Sequence, residues 1–214
     1  KEGIQMEALA QIRSQLEAGR YDIALQKLYG KEAKILSQQK ERYLSALKGF
    51  EKTFPEKKQV VLYSAPGRTE IGGNHTDHQH GRVLAAAVNL DIIGVVAHSD
   101  SSVIRVHSKG FSMNVVDLYD LSVQDKEKGT SNSLIRGIAA RFAGLGYRIG
   151  GVDIYTTSNV LKGSGLSSSA AFEVLIGTVL SQEFCGGEVD AVEIAKIGQY
   201  AENNYFGKAS GLMD

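Results

Sequence analysis

The chain of 214 residues has one cysteine, Cys185, only two prolines and no net charge. A single cysteine rules out an internal disulfide framework and a cysteine-based zinc site, and it fits a reducing, cytoplasmic setting. Lys plus Arg and Asp plus Glu both number 24, so no global charge favours nucleic acid or an anionic membrane as a partner. No apolar run reaches the roughly 18 residues of a membrane span, and no signal-peptide pattern is visible. Repeats of solenoid length are absent too. Against the scarcity of proline stand 24 glycines, grouped at Gly72-Gly73, Gly144 to Gly151 and Gly163 to Gly165. Grouping of that kind marks particular turns rather than a flexible linker. The hydrophobic content of 43% suffices for one large domain, or for one with a short extension.

Residues 4–50 read as helical. Ile4, Leu9, Ile12 and Leu16 recur at helical spacing, Gly19 interrupts, and Tyr21 to Leu28 and Ile35 to Phe50 resume the pattern. Residues 1–54 are therefore expected to form an amphipathic helical arm that packs on the rest. Beyond Pro55, strands are expected at Val60 to Tyr63, Val83 to Val88, Asp91 to His98, Ser102 to His107, Phe111 to Leu118 and Val152 to Thr156. Helices are expected at Asn132 to Phe142, Ser168 to Phe184 and Val189 to Tyr205. Residues 55–214 thus read as an α+β domain, its strands mostly antiparallel and its helices on one face.

Three polar motifs interrupt this pattern. The first, Gly163-Ser164-Gly165-Leu166-Ser167-Ser168-Ser169-Ala170, runs from a strand into a helix. Its glycines allow a tight turn, and its serines stand where a helix offers unbonded N–H groups and the positive end of its dipole. That suits the phosphates of ATP; the alternative is an ordinary serine N-cap. No lysine follows the second glycine, so this is not the Walker-type loop. The second motif packs Arg68, Glu70, Asn74, His75, Asp77, His78 and His80 between two apolar strands. Directional recognition of sugar hydroxyls explains that density, with Arg68 available to neutralise phosphoryl charge. A metal held by His75, Asp77, His78 and His80, or a solvated polar loop, are the other readings. The third motif runs from Glu202 to Asp214, with Gly207 and Gly211 permitting a turn. Here Glu202 is a candidate Mg²⁺ ligand and Asp214 a candidate general base or electrostatic anchor.

In this order and spacing the three motifs resemble the GHMP family of small-molecule kinases, and galactokinases within it. The likeness rests on Ala65-Pro66-Gly67-Arg68, on Gly73-Asn74-His75-Thr76-Asp77, on Gly163 to Ala170, and on Ala201-Glu202-Asn203 through Gly211-Leu212-Met213-Asp214. It implies the ribosomal-protein-S5-like N-terminal domain of that family, a mixed or antiparallel sheet covered by helices, here preceded by the helical arm. It also implies ATP and Mg²⁺ as cofactors and a galactose-like sugar phosphorylated at its anomeric hydroxyl. By the resemblance, Gly163 to Ala170 would bind ATP, and Ser168 and Glu202 would hold Mg²⁺. Asp214 and Arg68 would be catalytic, while Asn74, His75, Asp77 and the Gly211 backbone would bind sugar.

The departures are specific. Glu70 stands where the family has Asn, Asn74 where it has Glu, His78 where it has Tyr, and Leu161 where it has Pro. Losing the acid at position 74 would repel a C6 carboxylate less, which keeps a galacturonate 1-kinase open. A non-catalytic sugar sensor on the same fold is the other alternative. Family members also carry a C-terminal domain with another glycine-rich loop. The resemblance therefore implies that the C-terminal half of the same polypeptide is missing from this chain, and that the portion alone lacks part of the site.

Overall fold

The computed structural model describes residues 6–160 and 165–213. The arm comprises a short strand β1 (Glu7–Ala8) and three helices, α1 (Leu9–Glu17), α2 (Asp22–Tyr29) and α3 (Ala33–Thr53). Then come β2 (Gln59–Gly72), β3 (Leu84–His98), β4 (Val103–Ser108), β5 (Met113–Asp117), α4 (Ser131–Gly144), β6 (Val152–Ser158), α5 (Ser168–Phe184) and α6 (Ala191–Ala201). Among the described residues these strands form one sheet in the order β1-β2-β3-β6-β4-β5. The pairings β2–β3, β3–β6 and β4–β5 are antiparallel, and β4–β6 is parallel. The sheet is mixed, as the resemblance implied.

Each face of the sheet carries its own core. On one face, Val61, Ile92, Val96, Ile104 and Ile154 pack with Ile135 and Phe142 of α4, Leu175 and Ile176 of α5, and Ile197 of α6. On the other, Val60, Ile93, Val95 and Tyr155 pack with Leu9, Ile12 and Leu16 of α1 and with α3. Helix α3 offers Tyr43, Ala46, Leu47 and Phe50, a single stripe at helical spacing. The arm therefore covers the sheet face that α4–α6 leave open, and the layers run helix, sheet, helix. Alternate residues of one strand feed the two cores, as Ile92 and Ile93 show, because strand side chains point alternately up and down.

The strands expected at 83–88 and 91–98 are one continuous strand, β3. Asn89 and Leu90 look like a break but are absorbed where the β2–β3 register shifts. Pro66 pairs with Asp91, yet Arg68 pairs with Ala87. Proline is tolerated at such a bulge because it has no ladder N–H to lose. Past this point β2 and β3 leave the layers as a mostly exposed two-stranded ribbon.

Candidate active site

The ribbon, the start of α5 and the segment ending at Met213 enclose a cleft of about 270 Å³. Pro66, Gly67 and Arg68 line it from β2, Ala85 to Ala87 from β3, and Ser167, Ala170 and Ala171 from α5. Gly67 matters by its size. A Cβ there would stand 2.9 Å from the Leu166 carbonyl oxygen and 3.1 Å from a Val160 methyl. Its absence lets the Arg68 N–H donate to that same carbonyl at 3.2 Å. The Arg68 side chain then reaches three places. Nε donates to the Met213 carbonyl at 2.8 Å, Nη1 to the Gly165 carbonyl at 2.9 Å, and Nη2 lies 3.4 Å from His75 Nε2. One guanidinium thus joins all three sequence motifs.

The loop after β2 is built from unusual backbone. Among the described residues, four that are not glycine have left-handed φ: Asn74, His75, His80 and Ser167. All four lie in the sugar and phosphate motifs. Such conformations cost on the order of 1–3 kcal/mol each and tend to gather at functional sites. Glu70 supports the turn by accepting the His75 N–H at 2.9 Å. Asp77 is the pivot. Its Oδ2 accepts the Met213 N–H at 2.9 Å, and its Oδ1 lies 3.2 Å from His75 Nδ1. Burial works to raise the Asp77 pKa, but the Met213 N–H, a backbone N–H of its own and His75 outweigh it and hold it below the ordinary value. Gly211 permits the approach, since a Cβ there would fall 1.8 Å from Asp77 Oδ2.

His75, Asp77 and His78 stand close enough for three ligand atoms to lie within 4.8 Å of one another; His80 is not among them. Hydrogen bonds already engage these side chains. His75 Nδ1 uses its proton on Asp77, which leaves Nε2 to accept from Arg68, so both ring nitrogens are engaged. His78 Nδ1 likewise donates to the His75 carbonyl at 2.7 Å.

Ser167 precedes α5, but its side chain does not cap the helix. Ser169 Oγ instead donates to Glu202 Oε1 at 3.1 Å. Glu202 is 1% exposed, and the Lys208 ammonium lies 3.5 Å from its Oε1. A π-turn over Glu202–Phe206 redirects the chain after α6, with the Glu202 carbonyl accepting the N–H groups of Gly207 and Lys208. Asn203 Oδ1 takes the Ser210 N–H at 2.9 Å, and Gln199 donates to the Ser210 carbonyl at 3.0 Å. A buried carboxylate beside a serine hydroxyl is a hard-oxygen donor set of the kind Mg²⁺ takes, and two protein ligands suffice for an ion that keeps waters and phosphate oxygens. These residues fit that ion.

Of the sequence-expected site residues, Arg68, His75, Asp77 and Gly211 form a chain of successive contacts, and Gly165, Leu166, Ser167 and Ala170 lie beside it. Asn74 forms the left-handed turn. Gly163, Ser164 and Asp214 lie outside the described residues, as does Leu161. Among the described residues, Ser169, one beyond Ser168, places its hydroxyl 3.1 Å from Glu202 Oε1. Sequence reasoning passed over Lys208 and Met213. Met213 acts through its backbone, which no side-chain pattern reveals; Gly211 was the only sign of a close approach.

The profile described as the galactokinase galactose-binding signature matches residues 48–98, and that of the GHMP kinases N-terminal domain matches residues 133–214. Galactokinases of Lactobacillus helveticus and Bacillus subtilis (strain 168) are each 37% identical over 174 and 173 residues respectively, 78% of this chain and 44% of theirs. The crystal structure of Lactococcus lactis galactokinase complexed with galactose superposes with a TM-score of 0.73 at 30% identity, covering 80% of this chain and 45% of that one. Methanococcus jannaschii mevalonate kinase, at 20% identity and a TM-score of 0.59, shares the fold. The chain thus spans about 44% of the length of the curated relatives it matches. Both profiles, the identities and the superposition agree: this chain belongs to the GHMP kinase family and, within it, groups with the galactokinases.

Proposed function

We propose that the intact polypeptide containing this chain is an ATP- and Mg²⁺-dependent sugar 1-kinase that phosphorylates the anomeric hydroxyl of galactose. The observation that carries this reading is the convergence on Arg68 of the sugar loop at His75, the phosphate loop at Gly165 and the closing segment at Met213. We further propose that the site is completed by a C-terminal half of the same polypeptide, and that it works in the cytoplasm. No described helix is long and apolar enough to cross a membrane.

The residues divide the work by position. Asp77 and Arg68 grip the Met213 N–H and carbonyl. Asp214 accepts the proton of the anomeric hydroxyl, which attacks the terminal phosphorus in line as ADP leaves. Arg68 stabilises the charge on the phosphoryl group in transit, where positioning and electrostatics supply most of the rate. Residues Gly163 to Ala170 bind the phosphates. Glu202 and Ser168 hold Mg²⁺, with Ser169 orienting the Glu202 carboxylate. When bound, that ion offsets phosphate charge and templates the reacting oxygens.

His75, Asp77, Asn74 and the Gly211 backbone line the sugar side. Asn74 carries no charge, but Glu70 keeps a carboxylate 2.9 Å from the His75 N–H. A negative group therefore remains in this loop, which favours the neutral C6 of galactose over the carboxylate of galacturonate. The test is ADP release by the intact polypeptide with Mg²⁺–ATP across galactose, galacturonate and glucose. Release with galactose above galacturonate is expected. Preference for galacturonate would overturn the reading of Glu70, and no sugar-dependent release despite sugar binding would favour a sensor.

A further inference from the structure

A second polar centre lies under the site, and the reaction as described does not use it. Asp91 is 2% exposed, on β3 opposite Pro66. Its carboxylate accepts from Tyr29 of α2, Arg42 of α3 and Ser64 of β2, each at 2.5 Å. Tyr29 and Tyr43 hydroxyls are 3.0 Å apart. The Asp91 carbonyl takes Arg42 Nη2 at 2.7 Å and the Asn159 N–H at 2.9 Å, while Arg42 also reaches the Thr157 carbonyl at 3.4 Å. Two strands leave the sheet at this point. β2 bulges between Pro66 and Arg68, and the chain after β6 passes Asn159 and Val160 toward the phosphate loop. An apolar pair would dock the arm as well, since burying a charge is expensive unless it is fully partnered. What the charged centre adds is direction: hydrogen bonds fix angles that apolar packing leaves loose.

We propose that Asp91 is a positioning residue. Gripped by Arg42 and Tyr29 of the arm, it fixes where β2 turns into Arg68 and where β6 runs on past Asn159, so that docking of the arm sets the aim of Arg68. The part of this claim that concerns catalysis rests on the kinase reading.

Arg42→Lys and Tyr29→Phe test it in the intact polypeptide, because both leave Asp91 and the arm's apolar stripe in place. Leu47→Ala is the control: Leu47 is fully buried in the arm's own apolar stripe and is not a partner of Asp91. Arg42→Lys is expected to lower kcat roughly 10-fold with little change in either KM, and Tyr29→Phe to lower it less. Amide exchange at residues 67–70 and 157–160 should quicken in both, while the interior of α5 stays protected. Leu47→Ala should lower the melting temperature more than either and leave kcat near wild type. If Arg42→Lys leaves kcat unchanged, or if Leu47→Ala lowers it as much, the hydrogen bonds to Asp91 do not set the aim of Arg68 and the proposal fails. Wild-type protein without sugar-dependent ADP release would sink the kinase reading instead. The exchange pattern would still decide whether Asp91 holds the two strand exits: unchanged exchange at 67–70 and 157–160 overturns the positioning claim by itself.

Discussion

Asp91 and Asp77 stand on either side of Arg68 in the fold and are built in opposite ways. Asp91 collects side chains from Tyr29, Arg42 and Ser64, brought from up to 62 residues away. Asp77 collects its neighbour His75 and the backbone N–H of Met213. The first is sealed beneath the arm. The second lies nearer the surface: the Asp77 side chain is 8% exposed, but that of its partner His75 is 45% exposed. A sealed centre can specify how layers join but cannot meet substrate. An open one that is tied to backbone leaves its ring partner and the Arg68 guanidinium within reach of a ligand. The difference separates a centre that holds the fold from one proposed to hold the substrate, and it is open to attack from both sides.

The largest expected effect falls on the open side. Asp214→Asn should lower turnover by about 10²–10⁴-fold, the usual worth of a positioned general base, while calorimetry shows ATP binding intact. Retained turnover would remove Asp214 from the mechanism. Gly211→Ala comes next. Its Cβ would meet the Asp77 carboxylate at 1.8 Å, and a displacement on the order of 1 Å at Met213 is expected to cost about 100-fold in kcat, with the melting temperature nearly unchanged. A variant that melts early but turns over normally would show that the segment's placement serves the fold alone.

Arg42→Met tests the sealed side, leaving Asp91 buried without its cation. A loss of about 3 kcal/mol in unfolding free energy is expected from denaturant titration. A shift below about 0.5 kcal/mol, the range of ordinary surface changes, would mean that water or Tyr29 replaces the arginine.

The smallest effect is one of pH. The folded-state pKa of Asp77 lies below its unfolded value. Its contribution to stability is therefore complete above the unfolded value near 4, and it fades as pH falls through the lower folded value. Asp77→Asn should flatten that part of the acid limb and change little at pH 7 relative to pH 5. An unchanged acid limb would show that the Met213 contact is too weak to matter.

The same contrast explains what could be read from sequence. The open centre was legible because its polar residues crowd together between apolar strands, and because Gly211 marks a close approach. The helices of the arm were legible from the spacing of Leu9, Ile12 and Leu16 and of Tyr43, Leu47 and Phe50. The sealed centre was not. Asp91 reads as the polar start of an apolar strand, Arg42 as one charge on the outer face of a helix, and nothing local links residue 42 to residue 91. The joining of β3 across Asn89 was equally hidden, because a bulge belongs to a pair of strands and not to one. The grip on Met213 runs through backbone atoms, which carry no residue identity.

The central claim is that Arg68 pins the three motifs into one phosphoryl-transfer site. It is tested most directly by comparing kcat and the calorimetric galactose Kd of the intact polypeptide with those of Arg68→Ala. The account predicts that kcat falls by about 100-fold or more, as for loss of a preorganised charge-stabilising donor, with Kd within a few-fold of wild type. A weakened Kd with kcat preserved would contradict it and make Arg68 a binding residue only.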